Sequence, residues 1–407
     1  MIDYYATKSQ PITRLMVWQA YKRVQSNRGS GGIDGMDWDY LEEHTGKELY
    51  KLWNRLSSGS YYPQAVKRVG IPKKDGGTRY LGVPTLLDRI AQEVVRTHLE
   101  RILDPIFSAH SYGYRKGKSA HQAVEASMKN CINHDFVIDL DIKGYFDTID
   151  HGLLLKGLTH YCKDKWVALY VRRWLEAGVI TEEGMYRDSI TGTPQGGVIS
   201  PLLSNLFLHI AFDKWMEKNH WEKPFERYAD DVVVHCKTER QARYMRWQIE
   251  SRLSSCKLEM HPKKTKIVNL RGRSDRKYPR SYDFLGFKIK PHIIQCRDKA
   301  RLMPGVFISQ KSKQSAFKKF RELNLHKWRK PITEIAKVLN PIVRGLSNYY
   351  QKFWDGMLSH VWHQLNCRIL KWVKWEKGLY GKAAKRWLRL RYKHNPGLFL
   401  HWRWVHP

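Results

Sequence analysis

Phe225-Glu226-Arg227-Tyr228-Ala229-Asp230-Asp231-Val232-Val233-Val234 sets two adjacent carboxylates between an aromatic-apolar approach and a run of β-branched residues. Such flanks favour strand, tight turn, strand, because Val seeks a pleated, buried surface. Two acids at the tip of a hairpin repel each other, and a divalent cation such as Mg²⁺, which takes oxygen ligands, is the common compensation. A bare Asp-Asp is otherwise an ordinary surface turn, since Asp is a good turn former. A catalytic reading therefore needs a third carboxylate, a place for a nucleotide and a nucleic-acid track.

The third carboxylate has a candidate in Phe136-Val137-Ile138-Asp139-Leu140-Asp141-Ile142, which alternates as a strand and ends at Lys143-Gly144. Alternation puts Asp139 and Asp141 on one face, and Asp141 lies nearer the carboxyl end. Asp147 and Asp150 read instead as acids that cap or orient the next helix. For a triphosphate, Val69–Lys73 and Arg79–Val83 form a hairpin around a Gly-rich tip, with Lys73 and Arg79 at its two ends. There Arg could give forked contacts and Lys a point charge, although a solvated basic hairpin has the same pattern. Thr191-Gly192-Thr193-Pro194-Gln195-Gly196-Gly197 is a turn whose glycines permit close backbone approach and whose Gln195 can hydrogen-bond to a ligand or template. Ser200 and Pro201 then suit the N-cap and first position of a helix with an apolar face at Leu202, Leu203, Leu206, Phe207 and Ile210. Between Ser108 and His121, aromatics including Tyr112 alternate with bases including Arg115. That mixture suits stacking plus phosphate contact, or a plain basic loop.

These pieces need a frame. Helical spacing predicts helices over Pro11 to Val24, from about Ile33 to Leu56, and over Leu86 to Leu103. A length of 407 residues suggests two or three domains. The formal charge of +33 calls for a polyanion, and nucleic acid is the leading partner. Membrane binding is disfavoured, because the longest apolar window, Val198 to Phe212, is short and broken by polar residues. The N-terminus lacks the apolar core of a signal peptide, and the six cysteines never form a Cys-x-x-Cys pair. Together these favour the cytoplasm or a nucleoid-associated location.

The order of the motifs is more specific than any one of them. A basic hairpin, a strand-borne Asp, a Pro-Gln-Gly-Gly turn with its helix, and Tyr228-Ala229-Asp230-Asp231 occur in succession. Leu258-Glu259-Met260-His261-Pro262-Lys263-Lys264-Thr265-Lys266 and Phe284-Leu285-Gly286-Phe287-Lys288 follow, then Asn340-Pro341-Ile342-Val343-Arg344-Gly345-Leu346-Ser347-Asn348-Tyr349-Tyr350. From Gly31 to beyond Tyr350 the chain resembles the reverse transcriptases encoded by bacterial group II introns, which also act as maturases.

The resemblance implies an α+β right hand: fingers and a palm with a split βαβ sheet, then an all-helical thumb or X domain. The expected divisions are 1–85 for the N-terminal extension and fingers, 86–295 for fingers and palm, and 296–407 for the thumb. Carried over residue by residue, Asp141, Asp230 and Asp231 bind two Mg²⁺ ions, with Mn²⁺ able to substitute, and the Ile142 carbonyl is a further ligand. The chemistry implied is in-line nucleotidyl transfer between two metals. Lys73 and Arg79 match triphosphate contacts. Phe146 matches a steric gate against the ribose 2′-hydroxyl, with a core Phe as the alternative, and Gln195 would lie beside the incoming nucleotide. Tyr112, Arg115, Lys263, Lys264 and Arg344 are the expected nucleic-acid contacts. The implied partners are group II intron RNA, an RNA template/DNA primer duplex and dNTPs, with no membrane and with a homodimer left open.

From Arg301 onward there are 23 Lys and Arg against four acids, with Trp354, Trp362, Trp372, Trp375 and Trp387 among them. This suits a helical thumb that grips RNA by backbone and shape, most of the indoles being core. No metal-ligand cluster follows Cys367, so the nicking of a DNA target is not expected, and nascent strands at replication forks are the implied primers. Two alternatives stay open: a domesticated polymerase serving repair or defence, and a non-catalytic RNA-binding splicing factor.

Overall fold

A computed structural model of the chain describes residues 3, 5–72, 77–271, 277–296 and 299–407. They fall into two compact units: Met1–Ala123 with Ile138–Lys266, and Val124–Val137 with Ile267–Pro407.

The first unit opens with helices α1 (Arg14–Gln25), α2 (Trp38–Glu43) and α3 (Thr45–Ser58). Thr13 starts α1 by accepting the Met16 N–H at 3.1 Å, and Trp53 of α3 donates its indole N–H to the Ile12 carbonyl at 3.0 Å. The expected second helical region is thus two helices with His44 between them. Strands β1 (Val66–Pro72) and β2 (Thr78–Val83) are the two arms of the basic hairpin, in antiparallel register with Ile71 opposite Arg79. Helix α4 (Leu86–Leu103) has the predicted bounds, with Thr85 as its N-cap. Helix α5 (Ala120–Asn130) leads to β3 (Phe136–Leu140), which ends one residue before Asp141.

A short helix α6 (Tyr145–Thr148) is followed by α7 (His151–Tyr161) and α8 (Lys165–Glu176). Asp150 caps α7 as expected, accepting the Leu153 N–H at 2.8 Å. Strands β4 (Val179–Ile180) and β5 (Tyr186–Arg187) extend the hairpin into a sheet of order β2-β1-β4-β5. Helix α9 (Ser200–Leu208) is buried nearly all round, including Ser204 and Asn205, so it has more than the one apolar face its pattern suggested. Ser200 is not the N-cap. Ile199 holds that position, and the Ser200 hydroxyl donates to the Pro194 carbonyl at 2.9 Å, which closes the preceding turn instead of satisfying a helix N–H.

After α10 (Lys214–Asn219) come β6 (Phe225–Tyr228) and β7 (Asp231–Cys236), antiparallel with Tyr228 opposite Asp231, and then α11 (Glu239–Ser255). The sheet containing them has the order β6-β7-β3-β8, where β8 is Lys266–Asn269. Val232, Val233 and Val234 are all buried, as a strand covered on both faces requires.

In the second unit, β9 (Tyr282–Phe284), β10 (Phe287–Cys296) and β11 (Lys299–Ile308) form a sheet of order β11-β10-β9. The helical region begins only after this hairpin, with α12 (Gln310–Glu322), α13 (Ile332–Tyr350), α14 (Ser359–Lys377) and α15 (Gly381–His394). Trp362, Trp372 and Trp402 are fully buried, whereas Trp354 and Trp375 are exposed. Asn366 is the polar centre of this core: its Oδ1 accepts from Trp402 Nε1 at 3.0 Å, and its Nδ2 donates to the Val405 carbonyl at 3.1 Å. No helix among the described residues is long and apolar enough to cross a membrane.

Trp372 also donates its indole N–H to the Trp328 carbonyl at 3.1 Å. Trp372→Ala should therefore lower unfolding free energy by about 3–5 kcal/mol through the cavity and the orphaned carbonyl. Chemical denaturation of the full chain measures this, and Trp375→Ala, at an exposed position, should change little.

Candidate active site

The turn between β6 and β7 is built on a buried ion pair. Arg227 and Asp213 are both fully buried; Nε donates to Oδ1 at 2.7 Å and Nη2 to Oδ2 at 2.6 Å. Arg227 Nη1 also donates to Asn205 Oδ1 at 2.9 Å and to the Ala229 carbonyl at 3.1 Å. Ala229 has φ +57°, a left-handed conformation that is strained for an L residue. The Arg227 bond helps to hold it there. Gly113 closes the other side, since a Cβ at that position would come within 2.5 Å of the Ala229 nitrogen. Burial raises the Asp213 carboxyl, but the Arg227 guanidinium and the His209 ring together more than offset this and hold it below its ordinary 3.8.

Asp141 is fixed from the opposite side. Its N–H donates to Thr265 Oγ1 at 3.3 Å and its carbonyl accepts the His261 N–H at 2.8 Å. Ile142 bridges Met260 with the bonds supplied by the flanking residues, Lys143 N–H to the Glu259 carbonyl being the second. In that antiparallel arrangement the N–H and C=O of Ile142 itself point away from the Met260 segment. Asp230 is half-buried, and burial raises its pKa, with the nearby Asp141 charge adding to the rise; Arg79 and Arg227 pull the other way. The two carboxylates and Arg79 therefore share one electrostatic environment. Asp231 is exposed at the start of β7.

Beside them runs a chain of polar contacts. Arg79 Nε donates to Gln195 Oε1 at 2.7 Å, and Gln195 Nε2 donates to Asp147 Oδ1 at 3.2 Å. Phe146 is half-buried, its ring 5.6 Å from that of Tyr145, and its carbonyl accepts the Thr193 N–H at 2.8 Å. A cavity of about 450 Å³ is lined by Arg68, Tyr80, Asp147, Thr193, Pro194 and Gln195 among others. A larger cavity, of about 670 Å³, lies among α7, α9 and α11 and contains none of the expected site residues. Size alone would have pointed away from the expected site residues. Lys73 lies outside the described residues.

The expected nucleic-acid contacts are scattered. Tyr112 is half-buried and donates its N–H to the Arg227 carbonyl at 2.8 Å, so its loop runs alongside β6. Arg115 turns inward: Nε and Nη2 donate to Asp104, and Nη1 donates to the Ser108 and Ser111 carbonyls at 2.6 and 3.0 Å. This gives Arg115 a loop-folding role in place of an outward phosphate contact. Five donors on a rigid fork suit bare carbonyls as well as phosphates, so the sequence pattern cannot tell the two apart. Lys263 and Lys264 are exposed, and the Lys264 ammonium stands 3.5 Å from Asp141. Arg344 is exposed on α13, in the second unit. Unassigned beforehand were Asp213, Asn205, Thr265 and Gly113. The one available signal was Arg227, a charge in a strand otherwise reading as buried.

Residues 71–289 match the reverse transcriptase (RNA-dependent DNA polymerase) family, and 313–392 match the group II intron maturase-specific domain. The chain belongs to the group II intron reverse transcriptase/maturase family. It is 37% identical over 191 residues to the group II intron-encoded protein LtrA of Lactococcus lactis subsp. cremoris, covering 47% of this chain and 32% of that one. Protein YkfC of Escherichia coli K12 is 35% identical over 62% of this chain and 76% of its own length. A putative COX1/OXI3 intron 1 protein of Saccharomyces cerevisiae is 36% identical over 50% of this chain and 24% of its own. The chain thus spans about a third or less of LtrA and the yeast protein and about three quarters of YkfC.

Reverse transcriptases of this family depend on a divalent cation, and the donor set fits one. Asp141, Asp230 and Asp231 offer hard carboxylate oxygens on adjacent strand ends, with burial and mutual repulsion acting on Asp230 as a cation would relieve. Among the described residues, however, no three His, Cys, Asp or Glu side chains are gathered into a ready cluster. Like charges repel, and Asp141 is paired with the Lys264 ammonium.

Removing one member of a buried ion pair leaves an uncompensated charge, so Asp213→Ala should destabilise the first unit by about 3–5 kcal/mol. The sign of the pH effect follows from the depressed Asp213 pKa. Its stabilisation is complete above the ordinary carboxylate range and is lost as pH falls through the folded value. Denaturant titrations between pH 7 and 3 should show the wild-type advantage over Asp213→Ala shrinking only at the acid end.

Proposed function

We propose that this chain is an RNA-directed DNA polymerase that also binds group II intron RNA to promote splicing and mobility. The observation that carries the reading is the placement of Asp141 at the end of β3 and Asp230 in the turn leading into the adjacent strand β7, with Arg79 bonded to Gln195 at 2.7 Å. Family membership supports both halves of it.

In this reading Asp141, Asp230, Asp231 and the Ile142 carbonyl hold two Mg²⁺ ions, or Mn²⁺ in their place. Bound there, the ions supply positive charge that acidifies the primer 3′-hydroxyl and steadies the leaving pyrophosphate. The protein itself contributes position and charge. Arg79, with Lys73, takes the triphosphate; Gln195 lies against the incoming nucleotide; and Phe146 occupies the space a ribose 2′-hydroxyl would need. Tyr112, Lys263, Lys264 and Arg344 contact the RNA template/DNA primer duplex or intron RNA, and Arg115 acts through the loop it folds. Residues 1–85 and 86–295 form the fingers and palm, and 296–407 the thumb. Such a protein works in the cytoplasm, where its RNA and dNTPs are.

Primer extension on an RNA template tests the polymerase half. Asp230→Ala should lose activity on the order of a thousandfold or more, the scale set by removing one preorganised electrostatic group. Activity persisting in that variant overturns the assignment. Phe146→Ala should raise ribonucleotide incorporation by about a hundredfold, as expected when a steric exclusion is removed. For the maturase half, the RNA copurifying with the protein should be a structured intron; random RNA alone removes the splicing claim.

A further inference from the structure

Asp147 has no part in the reading above, yet two contacts of its own and one of its neighbour Phe146 tie it to the surroundings of the incoming nucleotide. Its Oδ1 accepts from Gln195 Nε2 at 3.2 Å, while Gln195 Oε1 accepts from Arg79 Nε at 2.7 Å. Its own carbonyl accepts the Thr191 hydroxyl at 3.1 Å, and the carbonyl of the preceding Phe146 accepts the Thr193 N–H at 2.8 Å. Gly192, between those two threonines, has φ +86° and would bring a Cβ to 2.8 Å from the Phe146 oxygen. The Thr191–Gln195 segment is thus pressed against the backbone that carries Phe146.

An amide side chain can present either its oxygen or its NH₂ in a given direction, and only its partners decide which. Here a cationic donor stands on one side of Gln195 and an anionic acceptor on the other, so only one orientation satisfies both. Charge-assisted bonds are the stronger kind, and Arg79 is held by its Nε edge. We infer that Asp147 is a positioning residue for nucleotide selection: its carboxylate fixes the Gln195 amide, and through it the Arg79 guanidinium, against the segment bearing Phe146. The inference rests on the polymerase reading and names a determinant of its nucleotide affinity.

The consequence is a defect in binding and not in turnover. Asp147 is exposed, so replacing it leaves the buried core intact. Asp147→Leu should raise KM for dNTP about tenfold, the loss expected for one charge-assisted hydrogen bond, while kcat stays within about threefold. Asp147→Asn keeps a carbonyl acceptor for Gln195 Nε2 and should restore KM to within about threefold of wild type. In a Gln195→Leu background, Asp147→Leu should add nothing, because two residues acting through one bond are not additive. A role confined to starting α6 would instead give the same Asp147→Leu effect in both backgrounds, since Asn starts a helix as well as Asp does; that result overturns the inference, as does a failure of Asn to restore KM. So does an unchanged KM. Equilibrium binding of labelled dNTP to the protein on an RNA template with a 3′-dideoxy-terminated primer gives a second readout without turnover. If wild type extends no primer, the polymerase reading fails. An affinity equal in wild type and Asp147→Leu defeats this inference alone.

Discussion

The pairing of Arg227 with Asp213 is the interaction on which the candidate site depends. A bidentate ion pair with no solvent access is stabilising only if nearly every lone pair and proton is used. Asn205 and the Ala229 carbonyl take further Arg227 donors, which brings the network directly under the turn. Asn205 in turn donates to the Gly113 carbonyl at 2.8 Å, so the loop that flanks β6 is tied to the same centre. Tyr145 joins the neighbourhood through its hydroxyl bond to the Ser204 carbonyl at 2.6 Å, and burial raises its pKa, keeping it a neutral donor. One network thereby sets the strained backbone at Ala229, the approach of Gly113 and the floor beneath Asp230.

A site of this kind has to keep carboxylates close together before anything neutralises them. The protein manages this by fixing backbone, not side chains. Asp141 is held by Thr265 and His261 through its main chain, and Asp230 by the turn that Arg227 braces. The Asp141 carboxylate is met from outside by the Lys264 ammonium at 3.5 Å. The neighbouring Arg79–Gln195–Asp147 chain follows the opposite rule, since there the side chains themselves are locked by alternating donors and acceptors.

The second unit shows the same economy in a different medium. Its helices carry bases outward, while Trp362, Trp372 and Trp402 fill the interior and give their indole N–H groups little room to choose partners. Asn366 resolves part of that problem by receiving Trp402 and bonding to the last residues of the chain. A basic exterior over an indole-rich core suits a surface that meets a polyanion without losing its own shape.

Much of this was legible in the residues themselves. The strands around Ala229 and Asp230, helix α4, the hairpin of β1 and β2, and the cap at Asp150 all follow from periodicity and local chemistry. Local preference decides those features, and tertiary packing agrees with it. The order of motifs carried the family, because order along a chain is itself sequence information. Other features depended on partners distant in sequence. Nothing in the spacing paired Arg227 with Asp213; Arg115 could as well have faced phosphate as the carbonyls it binds; Ser200 looked like a cap until Pro194 took its hydroxyl. Asp147 read as a helix-start acid, and only folding brought it to Gln195. Hydrogen-bond partners are a matter of distance in space, and spacing along the chain does not encode that distance. The sequence therefore determined which groups could do chemistry, and the tertiary structure decided which of them meet.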